Sequence, residues 1–216
     1  MFRQAVLTSA VLVLAGSATG VAQNPGLPVV NSGVSSGLTL SGDVGFPSDD
    51  AGGGTAFGVT GKVGLGPLGV SASISRWKPD GFAEGETSLG GTANLKLFGG
   101  PLIPFAVTFQ AGASRTKIAD VSLYHFPIGV SFSARIPTTV IGIKPWIAPR
   151  IDIARVSGIP GVDAETESDF GFSAGVDLNL LSGLGFHAAY DYVKVEGGSE
   201  TIFGVGLHYG LTIPGL

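Results

Sequence analysis

No cysteine occurs in the 216 residues of the chain. Disulfide cross-links, thiolate nucleophiles and thiolate metal sites are therefore excluded, and a chain without thiols suits an oxidising compartment. Charge is scarce as well: Asp, Glu, Lys and Arg together make up 13%, against about 25% in an ordinary soluble domain. The formal net charge of -4 argues against nucleic acid as a partner. Beyond the N-terminal region, no segment approaches the roughly 18 uninterrupted apolar residues of a membrane helix. What is abundant is glycine, with 36 residues, and apolar side chains, at 44%. The length suits one domain with a sizeable buried surface.

The first residues read as an export signal. Arg3 supplies a positive start, Ala5 to Ala15 is a short apolar run, and small residues lead to a cleavage position after Ala22. The domain reading is thus a signal peptide over 1–22, a flexible Pro/Gly/Ser-rich lead-in over 23–35, and one folded domain over 36–214.

That domain alternates. In "LGVSASISRW", Leu68, Val70, Ala72 and Ile74 fall on one side, and Gly69, Ser71, Ser73 and Ser75 on the other. Period two marks a strand with two different faces. Ten such segments are expected, at 37–46, 56–65, 68–77, 88–98, 104–114, 125–136, 143–155, 169–180, 184–195 and 201–213. Each is about 10 residues long, the length of a tilted strand that crosses a bilayer. Connections alternate between long, such as "PSDDAGGGT", "TKIADVSLY" and "SGIPGVDAETES", and short, such as "GP" at Gly66–Pro67 and "LSG". The last, "EGGS", is short where a long one is due. A soluble barrel would need a charged outer face, which this chain lacks. Bulky residues outside and Gly, Ser and Thr inside is the opposite arrangement. The fold class expected is all-β, a transmembrane antiparallel up-and-down barrel of ten strands, with eight as the alternative. Phe46, Trp77, Phe126, Phe170, Tyr190 and Tyr192 fall near the loop end, where an interfacial aromatic belt would lie.

On this pattern, from Leu38 to Ile213, and on the export signal, the chain resembles the small outer-membrane β-barrels of Gram-negative bacteria, the broad group around the OmpA and OmpX barrels. The resemblance implies outer-membrane lipid and the barrel insertion machinery as partners. Members commonly end in an aromatic residue; here Pro214-Gly215-Leu216 stands in its place.

Parity assigns the bore. Lys62, Lys96, Arg135 and Lys144 point inward near the turn end, and Asp43, Asp152, Asp169 and Asp191 point inward nearer the loop end, with Arg150 among them. Arg135 and Lys144 flank one turn and need a carboxylate or anion between them. These charges read either as an ion-pair network that fills the barrel or as the lining of a narrow conducting path. Asp177, His187 and His208 share the inward parity. If Leu180 pairs with Leu184, and Val195 with Glu200, the three form one row across three strands. The row reads as structural polar packing, as a metal site whose residue types suit Zn²⁺, or as an Asp–His pair lacking a specified nucleophile. No cofactor is implied. The acidic loop runs, Asp49–Asp50 and Asp163 to Asp169, read as solvated surface, without the spacing of a Ca²⁺ loop. The function expected is a non-enzymatic outer-membrane barrel with a structural or surface-interaction role. The alternatives are a narrow channel for small solutes or ions, and a lipid- or protein-hydrolysing enzyme.

Overall fold

A computed structural model describes residues 24–100, 102–118, 121–157 and 164–211. The signal peptide over 1–22, with Arg3 and the cleavage position after Ala22, lies outside the described residues, as do Asp163 and Pro214-Gly215-Leu216.

Ten long strands form the wall: β1 (Gly37–Pro47), β2 (Thr55–Leu65), β3 (Leu68–Lys78), β4 (Glu86–Phe98), β5 (Phe105–Ile118), β6 (Val121–Ala134), β8 (Ile141–Ser157), β9 (Glu165–Leu180), β10 (Leu184–Val195) and β11 (Gly198–Leu211). A two-residue β7 (Ile136–Pro137) continues the line of β6 past Arg135. Each strand pairs antiparallel with its neighbour in sequence, β1 pairs with β11, and β6 pairs with β8. The sheet is therefore a closed ten-strand up-and-down barrel. Among the described residues no helix is long and apolar enough to cross a membrane.

The wall is inside-out relative to a soluble protein. Phe57 and Leu89 are each 60% exposed and Val70 58%, all on the outer face. Asp152 and Asp191 are 2% and 1% exposed, on the inner face. The side-chain period of two produces this directly, because alternate residues of each strand meet different surroundings.

Two features depart from the sequence reading. The stretch "TKIADVSLY" is not a long loop: β5 runs to Ile118 and β6 starts at Val121, and these two residues pair. Polar composition there belongs to the ends of a long hairpin. Trp77 is not part of an outer belt. β3 continues to Lys78, so Trp77 keeps its inward parity, is buried, and its Nε1–H donates to the Gly53 carbonyl at 3.1 Å.

An outward side chain at mid-wall height tests the inside-out assignment. Ile74→Lys places an ammonium on the outer face. It is expected to destabilise the barrel in lipid vesicles by roughly 2–4 kcal/mol, read as a lowered urea midpoint.

Candidate functional site: a stoppered bore

The bore holds the lead-in. Where the sequence reading has a flexible segment, the described part from Asn24 to Ser36 runs inside the barrel. Asn24, Leu27, Val29 and Asn31 are all buried. Near the turn end, a Cβ added at Gly64 would strike the Ser35 carbonyl, and one added at Gly69 would touch Val34. Nearer the loop end, Val29 packs with Leu123 and Ile202, and Leu27 with Ala56 and Trp77. Between them Val30 lies against Trp146, Ala148 and Ala189. A turn closed by Leu27 N–H donating to the Asn24 carbonyl at 3.0 Å sends the chain back down, where Asn24 Nδ2 donates to Ser73 Oγ at 2.8 Å. Pro, Gly and Ser composition forbids a regular element here but does not forbid burial.

Wall glycines make the space. At Gly58 a Cβ would stand 2.5 Å from Leu27 Cδ1, at Gly90 2.5 Å from Asn24 Oδ1, and at Gly204 2.6 Å from Pro28 Cγ. These glycines are inward residues whose missing side chain is the seat of the stopper. What is left beside it is a cavity of about 70 Å³, lined by Thr60, Lys62, Ser71, Thr92 and Asn94 among others. That is room for several waters, at about 10–15 Å³ of such space each.

One ion cluster ties stopper to wall. Arg150 Nε meets Asp152 Oδ2 at 2.7 Å, and Arg150 Nη1 meets Asp191 Oδ1 at 2.6 Å. Asp191 Oδ2 accepts the Val29 N–H at 2.9 Å. All three charged side chains are buried. Asp169 lies opposite Asp152 and is less buried.

At the turn end, Lys62, Lys96 and Lys144 are half-buried, and Arg135 is exposed where β6 gives way to β7. The pairing of Ile136 with Ile143 puts Arg135 beside Lys144. Asp177 lies opposite Lys144 on the other flank, across β8 and β9, so it neighbours Lys144 without standing between Lys144 and Arg135. The bore is thus basic toward the turn end and acidic toward the loop end, with Asp43 at mid-height.

The row of Asp177, His187 and His208 forms differently from its expectation. Asp177 does face His187 across β9 and β10. Val195, however, pairs with Gly198 rather than Glu200, so His187 faces Gly206, and His208 faces Gly185. The turn is two residues long, Glu196–Gly197, with Gly197 at φ 87°. Each imidazole lies over a glycine, where a Cβ would collide with the ring. His187 Nε2–H donates to Asp43 Oδ1 at 2.7 Å, a partner that parity alone had not singled out, and Ser41 Oγ–H donates to Asp43 Oδ2 at 3.1 Å. His187 Nδ1 and His208 Nδ1 are 3.3 Å apart, and His208 Nε2 is 2.9 Å from Asn179 Oδ1.

The ring geometry decides between metal and proton. The ring centroids are 5.6 Å apart and the planes are 22° from parallel. The centroid distance exceeds the nitrogen distance by two ring radii, so the two Nδ1 atoms point head-on at each other. A metal on the line between them would sit at half of 3.3 Å from each nitrogen, shorter than the Zn–N bond of about 2.0 Å, and a metal at that bond length would lie off the line and off both lone-pair axes. A linear N–H···N hydrogen bond there requires one ring to carry both protons, because each Nε2–H already donates, to Asp43 Oδ1 or to Asn179 Oδ1. Among the described residues no group of three or more His, Asp or Glu converges to hold a metal ion. In this arrangement the row is a chain from Asp43 through both imidazoles to Asn179.

Fold and bore together define a class: a small up-and-down barrel of the outer-membrane type, stoppered by its own N-terminal segment. No family model and no curated protein matches the chain. Solved structures do. The β domain of the Bordetella autotransporter BrkA is similar at TM-score 0.53 and 13% identity, over 82% of this chain and 100% of that one. The translocator domain of the autotransporter NalP from Neisseria meningitidis gives 0.43 and 13%, over 82% and 89%. The outer membrane protease OmpT from Escherichia coli gives 0.41 and 6%, over 82% and 94%. What the BrkA domain shares with this chain is the fold.

Two measurements test the site. Arg150→Met leaves two buried carboxylates unpaired and is expected to cost about 3–5 kcal/mol, read from the urea midpoint. With ¹⁵N-labelled histidine, a coupling across the His187–His208 hydrogen bond is expected in NMR spectra. Gly185→Ala should abolish it, and added zinc should leave the wild-type spectrum unchanged.

Proposed function

We propose that the protein is a non-enzymatic barrel of the bacterial outer membrane, stopped at rest by its own lead-in, with a structural or surface-interaction role carried by its wall and loops. The carrying observation is the passage of Asn24 to Ser36 through the bore, locked at Val29 by Asp191 and Arg150. The exposed apolar wall favours a lipid surrounding, and closure of the ring leaves no strand edge for lipid to meet. The two longest described connections, 48–54 and 79–85, lie at one end, which in such barrels faces outward. A non-enzymatic reading is favoured by the histidines: the second nitrogen of His187 faces His208, not a serine hydroxyl. Insertion would be handled by the barrel insertion machinery.

A second reading, a narrow channel for small solutes or ions, is favoured by the polar cavity beside the stopper and by Lys62 on its wall. Conductance separates the two. Protein lacking residues 1–22 is expected to be silent in planar bilayers across a wide voltage range. Protein lacking residues 1–36 is expected to show discrete openings. Steady conductance from the first form would reject the stoppered reading in favour of the channel.

A further inference from the structure

The charged residues of the strands divide by face. Arg76, Lys78, Arg115, Lys117, Arg155 and Lys194 lie on the outward parity, and all are exposed. All stand at the loop end of their strands. Among the described residues no Asp or Glu shares that face. The acids of the strands, from Asp43 and Glu86 to Asp191 and Glu200, take the inward parity. For a chain with more acids than bases, a purely basic outer margin is a deliberate placement of charge.

Four of the six are neighbours. Tyr124 pairs with Arg115 on one side and Arg155 on the other. Arg115 Cζ lies 5.7 Å from the Tyr124 ring centre, and Arg115 Nη2 donates to Ser122 Oγ at 3.2 Å. Lys117 pairs with Ser122, and Arg76 with Thr87 one strand beyond. Two strand spacings, about 10 Å, separate Arg115 from Arg155. Directly toward the turn end the same face is apolar, with the paired Ile128 and Ile151 exposed. Beyond the patch on its β3–β4 side lie the exposed acidic loop residues Asp80 and Glu84.

We infer that this patch on β3 to β8 docks the phosphate-bearing headgroup of an anionic lipid. The inference rests on the membrane location proposed above. Guanidinium groups match phosphate oxygens in pairs, and the neighbouring apolar face accepts acyl chains. A soluble polyanion would have to approach past the acidic loops, whereas a lipid brings its phosphate in sideways along the wall. The layering of apolar, basic and acidic zones selects a ligand that is itself apolar and anionic.

The test uses protein lacking residues 1–22, inserted in phosphatidylcholine bilayers, with trace spin-labelled phosphatidic acid or spin-labelled phosphatidylcholine. The immobilised fraction in the spectrum measures association with the wall. Wild type is expected to favour phosphatidic acid by roughly tenfold, equivalent to about 1.4 kcal/mol. The triple variant Arg115→Gln/Lys117→Gln/Arg155→Gln should lose the preference and keep the β-sheet circular dichroism of wild type. Lys62→Gln/Lys96→Gln, altered only in the bore, should retain it. Free inorganic phosphate should not displace the lipid. Equal immobilisation of both lipids by wild type, an undiminished preference in the triple variant, or displacement by inorganic phosphate would each overturn the inference. Absence of any immobilised component would instead remove the membrane location on which it stands.

Discussion

The pairing of β1 with β11 is the constraint on which the rest depends. Every other pairing, β6 with β8 included, joins neighbours in a meander; this one joins the first strand to the last and turns a ribbon with two open edges into a ring. The register holds without a break from Leu38–Leu211 at the turn end to Pro47–Ile202 at the loop end. An open edge in hydrocarbon would leave a row of amides without partners, at several kcal/mol each. Once the ring closes, each residue has only two places to point, and burial follows parity.

Closure then creates a second problem, which is volume. A ten-strand ring has a backbone radius of roughly 10 Å, too wide for walls of Gly, Ser and Thr to fill. The chain solves this with large groups seated opposite absent side chains. Trp146 lies over Gly175, Arg150 near Gly129 and Gly171, His187 over Gly206, His208 over Gly185, and the stopper over Gly45, Gly58, Gly90 and Gly204. Polar groups enclosed this way need partners more than they need space. That explains why three deeply buried charges form one connected set, Asp152–Arg150–Asp191, ending on a main-chain amide of the stopper.

The wall was legible in the sequence because its cause is local. Alternation in "LGVSASISRW" follows from the two faces of one strand, and it located ten strands, their parities and the inward charges. The Asp177–His187 pair was legible because "LSG" allows few hairpin registers. The His187–His208 register was displaced by two, because "EGGS" can be bridged by two residues or by four and nothing nearby chooses. Parity survives a shift of two, so both imidazoles still point inward and still meet. The stopper was not legible, since its position depends on contacts some 50 to 160 residues away, such as Asn24 with Ser73 and Val29 with Asp191. The signal that could have exposed it is the set of glycines on inward parity, which leave a trough that must be filled by something.

The same two-face logic explains why the charged residues cannot be exchanged between sides. A slip of one residue in β5 would carry Arg115 and Lys117 into the bore, against buried Ser88 and His125. It would also turn Thr116 and Ser114 out to the apolar face. In β8 it would expose Arg150 and Asp152 together and drive Ile151 and Ile153 against the stopper. Each error costs twice, once for a charge in the wrong surroundings and once for an apolar side chain denied its own. Register in this barrel is therefore held less by any single turn than by the opposition of its two surfaces. That is why a stopper without regular structure can be seated against a wall built almost entirely from Gly, Ser and Thr.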